Sequence, residues 1–146
     1  METDKKLKLL QLFYAGVLAD AIDNYERFGI REAVTDKKAA EQLVMARGQR
    51  IQMGIETPEQ MFTTFSDIFG CIQWNVTLGP GTVTGEGGSC LLCAIAKKKG
   101  TAQPCRMYCI NPMTAMAAAL EPSCMLTVRE TLWDGNRCRF EITLKD

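Results

Sequence analysis

Gly70-Cys71-Ile72-Gln73-Trp74-Asn75-Val76-Thr77-Leu78 is the stretch in which the hydrophobic period of this chain changes. Before Gly70 apolar residues recur at helical spacing. After it Ile72, Trp74, Val76 and Leu78 alternate with Gln73, Asn75 and Thr77, as in a half-buried strand. Helices on one side of this joint and alternating segments on the other predict an α+β fold. In it, N-terminal helices pack on a small antiparallel sheet in the order αααββαββ.

Upstream, Lys5 to Phe28 reads as one helix stopped by Gly29. It carries two apolar stripes, Leu10, Tyr14, Val17, Ala21, Tyr25, Phe28 and Leu9, Phe13, Leu18, Ile22. Two stripes need two partners: the domain's own core, and either a second copy of the chain or further core around a central helix. A second helix is expected from an Asp36 cap to Gly54. A third follows Thr57-Pro58-Glu59-Gln60, whose hydroxyl, N1 proline and N3 glutamine have the spacing of a capping box.

Downstream, Gly79-Pro80-Gly81 turns the chain into a short return strand, Thr82-Val83-Thr84. Gly85-Glu86-Gly87-Gly88-Ser89 reads as a turn; it matches neither the dinucleotide fingerprint nor a P-loop. A short helix from Cys90 to Lys99 follows, then one opened by Asn111-Pro112 and ended before Pro122. The chain closes with a hairpin. If Leu126 and Val128 are to share a face with Phe140 and Ile142, the loop needs an odd number of residues, which predicts a three-residue Asp134-Gly135-Asn136 turn and an inward Glu130 opposite Phe140. No linker or repeat divides residues 1–146, so one domain is expected.

Composition narrows the chemistry. Lysine plus arginine and aspartate plus glutamate number 17 each, so no net charge favours nucleic acid or an anionic membrane. The charged N-terminus and the acidic residues Asp20, Asp23 and Glu26 fit neither a signal peptide nor a membrane span, and a cytoplasmic location is expected. Histidine is absent, which removes Ser-His-Asp and Cys-His catalysis, histidine-ligated zinc and haem.

Seven cysteines remain as the reactive inventory. In a reducing compartment they read as metal ligands, reactive thiols or core residues before disulfides. Cys90 and Cys93, then Cys105 and Cys109, form a C-x2-C and C-x3-C pair of pairs. Four thiolates so spaced suit zinc or an iron-sulfur cluster. Two other readings stand beside it: a redox C-x-x-C at a helix N-terminus, and plain packing. Glu130 is the odd residue of the last hairpin, either a ligand-binding or acid/base group or a side chain reaching solvent at the sheet's end. Tyr108 and Met113, with Met107, Met116 and Met125, can line an adaptable apolar pocket.

The ending Cys105…Cys109, Cys124-Met125-Leu126-Thr127-Val128-Arg129-Glu130 and Gly135-Asn136-Arg137-Cys138-Arg139-Phe140-Glu141-Ile142 resembles the close of the vinyl-reductase-type small-molecule-binding domains. It is also similar to the family labelled L-2-amino-thiazoline-4-carboxylic acid hydrolase. Phe28-Gly29-Ile30-Arg31-Glu32-Ala33 and Trp74 are consistent with the same pattern. The resemblance implies a fold shared with transport-particle (TRAPP) subunits, a homodimer joined through helices, and a small-molecule ligand near Trp74, Tyr108, Met113 and Glu130. A ligand or redox sensor with zinc or iron-sulfur held by Cys90, Cys93, Cys105 and Cys109 is the leading expectation. The alternative it implies is a hydrolase of a carbon-nitrogen or carbon-sulfur bond, with Glu130 and a cysteine such as Cys138 as the groups available for catalysis.

Overall fold

The computed structural model describes residues 1–145; Asp146 lies outside the described residues. Helices α1 (Thr3–Arg27), α2 (Arg31–Met53) and α3 (Pro58–Phe69) precede strands β1 (Asn75–Gly79) and β2 (Thr82–Gly87). Then come α4 (Leu91–Lys99), a π-helical turn (Arg106–Ile110) running into α5 (Asn111–Ala118), and strands β3 (Cys124–Glu130) and β4 (Cys138–Leu144). The sheet is antiparallel in the order β1-β2-β4-β3. The α+β class and the antiparallel sheet are those expected from the change of period at Gly70, which takes a left-handed φ of 66° between α3 and the strands.

Helix α3 starts as its sequence dictates. The Gln60 amide N–H donates to Thr57 Oγ1 at 3.2 Å, and the Thr57 N–H donates to Gln60 Oε1 at 3.2 Å. Helix α2 does not begin at Asp36. It begins at Arg31, because Gly29 lets the backbone fold back sharply, with the Ile30 N–H on the Tyr25 carbonyl, and no side-chain cap is used. Asp36 lies inside the helix and pairs with Arg106 at 3.2 Å.

The inward face of α1 is neither expected stripe as a whole. Ala15, Ala19 and Ile22 are fully buried, and the two alanines pack on Leu92 of α4, small side chains letting the helices close. Leu10, Phe13 and Val17 stay 67%, 70% and 64% exposed. The main core lies between α3, α5 and the sheet, around Phe62, Trp74, Met113, Met116, Phe140 and Ile142.

Three local expectations change. The first strand starts at Asn75, not Ile72, because the Trp74 N–H is taken by Ser66 Oγ at 2.9 Å instead of by a neighbouring strand. The glycine run is not a turn: Gly85 and Gly87 belong to β2, where the side chains of Phe62 and Ile72 occupy the space a Cβ would fill. Helix α5 is not capped by Asn111. Pro112 would clash with a carbonyl one turn back in regular α geometry, and the wider π turn precedes it.

Leu126, Val128, Phe140 and Ile142 share the inner face of the last hairpin as expected, but the register is two residues off: Val128 lies opposite Phe140 and Leu126 opposite Ile142, where a three-residue turn would set Val128 opposite Ile142. The hairpin's end differs too. The strands close at Glu130 and Cys138, so residues 131–137 connect them instead of a three-residue turn. Phe140 is therefore taken by Val128, and a bulge between Val128 and Glu130 sets Glu130 opposite Arg139 instead of the expected Phe140.

Candidate functional site

Two adjoining cavities lie between the helices and the sheet. The larger, about 630 Å³, has a floor of Phe65, Ile72, Trp74, Leu92, Met113 and Met116. Trp74 is held between Phe62 and Phe140, with ring centroids 5.1 Å and 5.0 Å away, so this floor is rigid. One wall is α1, through Tyr14, Leu18, Ala21 and Tyr25; the other is α2, through Lys38, Gln42, Gln49 and Gln52. α1 packs on α4 and α2 on α5, while few residues of α1 and α2 touch each other, and the gap between them opens the cavity.

The polar groups are few. Lys38 is the charged side chain of this lining, and its ammonium lies 5.8 Å from the centre of the Tyr108 ring. Gln42 Oε1 is buried without a hydrogen-bond partner. Burial, then the neighbouring Tyr25, pushes the Tyr108 hydroxyl up to about 12, so it stays protonated at neutral pH.

The smaller cavity, about 20 Å³, is bordered by the thiols of Cys90, Cys93, Cys105, Cys109 and Cys138. The fold brings them from three elements: Cys90 and Cys93 from the N-cap and first turn of α4, Cys105 and Cys109 from the residue before the π turn and from within it, and Cys138 from the start of β4. Cys90 Sγ accepts the Cys93 N–H at 3.4 Å, and Cys138 Sγ accepts the Leu132 N–H at 3.3 Å. Ile72, Cys90, Leu92 and Cys109 border both cavities, so the thiol cluster sits against the larger one.

All of these thiols are free, and burial governs them. It pushes Cys90 and Cys105 up to about 12 and Cys109 well above its ordinary value, with the neighbouring cysteines adding to the effect. Cys93 and Cys138 are raised as well. At the N-terminus of α4 burial therefore outweighs any lowering by the helix dipole, and the thiols are neutral at pH 7. Among the described residues no group of three or more metal-ligating side chains is already drawn into a coordinating arrangement.

Of the residues singled out in the sequence, Cys90, Cys93, Cys105 and Cys109 come together, and Cys138 joins them. Trp74, Tyr108 and Met113 line the larger cavity. Glu130 lines neither cavity. Its carboxylate accepts the Asn136 N–H and the Arg137 guanidinium, each at 3.1 Å, and these bonds hold its pKa below the ordinary value. Lys38, Gln42 and Cys71, absent from the sequence reading of the site, also line the larger cavity.

No family model and no curated protein matches the chain. Its similarity is to solved structures. One is the phenol-responsive sensory domain of the transcription activator PoxR with phenol, at 14% identity and a TM-score of 0.51, over 92% of this chain and 74% of that one. Another is a trafficking protein particle complex subunit 3 from Naegleria fowleri covalently bound to palmitic acid, at 12% identity and a TM-score of 0.56, over 95% and 97%. At these identities the likeness is one of fold, and the expected TRAPP-like architecture is shown. No helix among the described residues is long and apolar enough to cross a membrane.

Proposed function

We propose that the chain is a small-molecule-binding domain whose ligand occupies the cavity between α1, α2 and the sheet. The observation that carries this reading is the cavity itself: about 630 Å³, floored by a clamped tryptophan and methionines, and bordered by a few polar groups. That volume lies within the roughly 300–1,000 Å³ typical of ligand sites. The two similar structures hold a phenol and a palmitic acid, which supports a mostly apolar ligand. The test is binding of aromatic and alkyl probes by calorimetry to the parent and to Ala21→Phe, which puts a ring into the α1 wall. Micromolar binding lost in the variant, with the melting temperature kept, supports the reading; equal binding by both proteins sinks it.

The five thiols beside this cavity are proposed as a seat for a thiophilic metal. Their donor set fits zinc or iron-sulfur, being sulfur alone with no ammonium or guanidinium on the lining. A void of about 20 Å³ is close to one water-sized sphere, which favours a single ion over a four-iron cluster. Cys90, Cys93, Cys105, Cys109 and Cys138 would supply the ligands. A bound ion would tie α4, the π turn and β4 together at the edge of the ligand cavity, coupling ligand and metal as a sensor requires. Elemental analysis of protein purified without oxygen decides between zinc, iron and neither.

A second copy of the chain is proposed as the cover for the exposed α1 stripe of Leu10, Phe13 and Val17, the last of which also lines the cavity. Light scattering on the parent and on Phe13→Asp is the check: a dimer that the aspartate splits supports it, and a monomeric parent overturns it.

A further inference from the structure

We infer that the cavity takes an apolar monocarboxylate, whose anionic head is met by the Lys38 ammonium on the α2 wall. This rests on the binding-site reading above and adds the charge class of the ligand.

Among the described residues, Lys38 is the one charged side chain on the lining, which holds no aspartate, glutamate or arginine. The acidic side chains within one turn of it on α2 have other partners. Asp36 pairs with Arg106 at 3.2 Å, and Glu41 pairs with Lys37, which leaves Lys38 outside both pairs. The Lys38 ammonium lies instead 5.8 Å from the centre of the Tyr108 ring, a contact that holds it beside a side chain of the same lining. Burial pushes up the Tyr14 and Tyr108 hydroxyls and the Cys71, Cys90 and Cys109 thiols, so none of these ionises at neutral pH to balance the lysine. The cavity therefore sets one positive charge against an apolar floor.

A monoanion with an apolar body matches both halves. Its carboxylate accepts a charge-assisted hydrogen bond from Lys38, on a largely apolar lining where the attraction is screened less than in bulk water. A neutral head leaves the cation without a counter-charge, and a cationic head is repelled. A phosphate brings a second negative charge for which the lining has no partner, and the guanidinium fork that suits phosphate is missing from it. The apolar body then lies across Trp74, Met113 and Met116, which have no charged atom to offer.

The experiment uses three probes with one body, biphenyl-4-carboxylate, its neutral isostere biphenyl-4-carboxamide and the cationic 4-(aminomethyl)biphenyl, with dissociation constants measured by calorimetry at neutral pH. In the parent, the carboxylate is expected to bind about tenfold or more tighter than the carboxamide, the scale of one charge-assisted hydrogen bond. Lys38→Met should bring the two together by weakening only the carboxylate. Lys38→Gln, neutral but polar, should do the same, so that a packing change peculiar to one variant cannot mimic the result; Lys38→Arg, which keeps the cation, should retain the preference. Equal binding of carboxylate and carboxamide in the parent overturns the inference, as does a preference untouched by both neutral variants or the cationic probe binding tightest. Binding without discrimination overturns this inference alone; binding of none of the three overturns the binding-site reading with it.

Discussion

The Phe62 ring lies on the backbone of Gly85, so close that a Cβ at position 85 would overlap its Cε1 and Cδ1 atoms. Gly85 pairs with Phe140 on the next strand, and Trp74 leans on both Phe62 and Phe140. A single missing side chain in β2 thus lets α3 approach the sheet and sets the floor of the ligand cavity. The φ of Gly85 is not positive, so the requirement is for space and not for an unusual backbone.

Gly85→Ala is accordingly expected to destabilise the fold by about 1–3 kcal/mol, the cost of overpacking a filled core. Urea denaturation measures it. A change within a few tenths of a kcal/mol would mean that the Phe62 ring is free to move aside, contrary to its fully buried position.

The capping box of α3 gives a second test. Thr57→Ala should cost about 1 kcal/mol of stability. Adding Gln60→Ala should cost less than the sum of the single changes, because the two side chains cap each other's backbone. A double-mutant cycle with no coupling would show that the reciprocal bonds do not act as a unit.

Glu130 sets a pH dependence. The Asn136 N–H first, and Arg137 with it, hold its carboxyl below the ordinary value in the folded chain. A carboxyl whose pKa falls on folding adds stability above its unfolded pKa, and that contribution is lost as pH falls through the lowered folded value. The stability gap between the parent and Glu130→Gln should therefore be full near pH 7 and close on acidification below about pH 4.3. Denaturation curves across this window check it; a gap that widens in acid would place the carboxyl in a different environment.

The proposed metal seat makes Cys138 a participant, although it lies outside the two closely spaced cysteine pairs. Cys138→Ser and Cys109→Ser should each weaken metal retention by more than about tenfold, the loss seen even for outer partners of metal ligands. Cys124→Ser, at a buried thiol that borders neither cavity, should not. Competition against a chromophoric chelator separates the two outcomes.

Much of the architecture is legible in the chain because its signals are local. The period change at Gly70, the box at Thr57-Pro58-Glu59-Gln60 and the common face of Leu126, Val128, Phe140 and Ile142 depend on neighbours in sequence or on simple alternation. The pairs Cys90–Cys93 and Cys105–Cys109 are legible for the same reason, since each spans about one helical turn. The hairpin end was not legible, because a bulge shifts Glu130 by one partner and alternation alone carries no mark of it. Nor was the role of Glu130, whose inward place was an inference from that unbroken register.

By itself, then, the sequence determined the class of fold, the helix that starts at Pro58, the inner face of the last hairpin and the two cysteine pairs. Tertiary structure alone decided that Cys138 joins those pairs, that Gly85 makes room for Phe62, and that α1 and α2 stand apart over the sheet. Lys38, Gln42, Gln49 and Gln52 carry no role in the sequence reading. They become the wall of a cavity because α2 packs on α5 while α1 packs on α4, and that separation is set by long-range packing that no local pattern encodes.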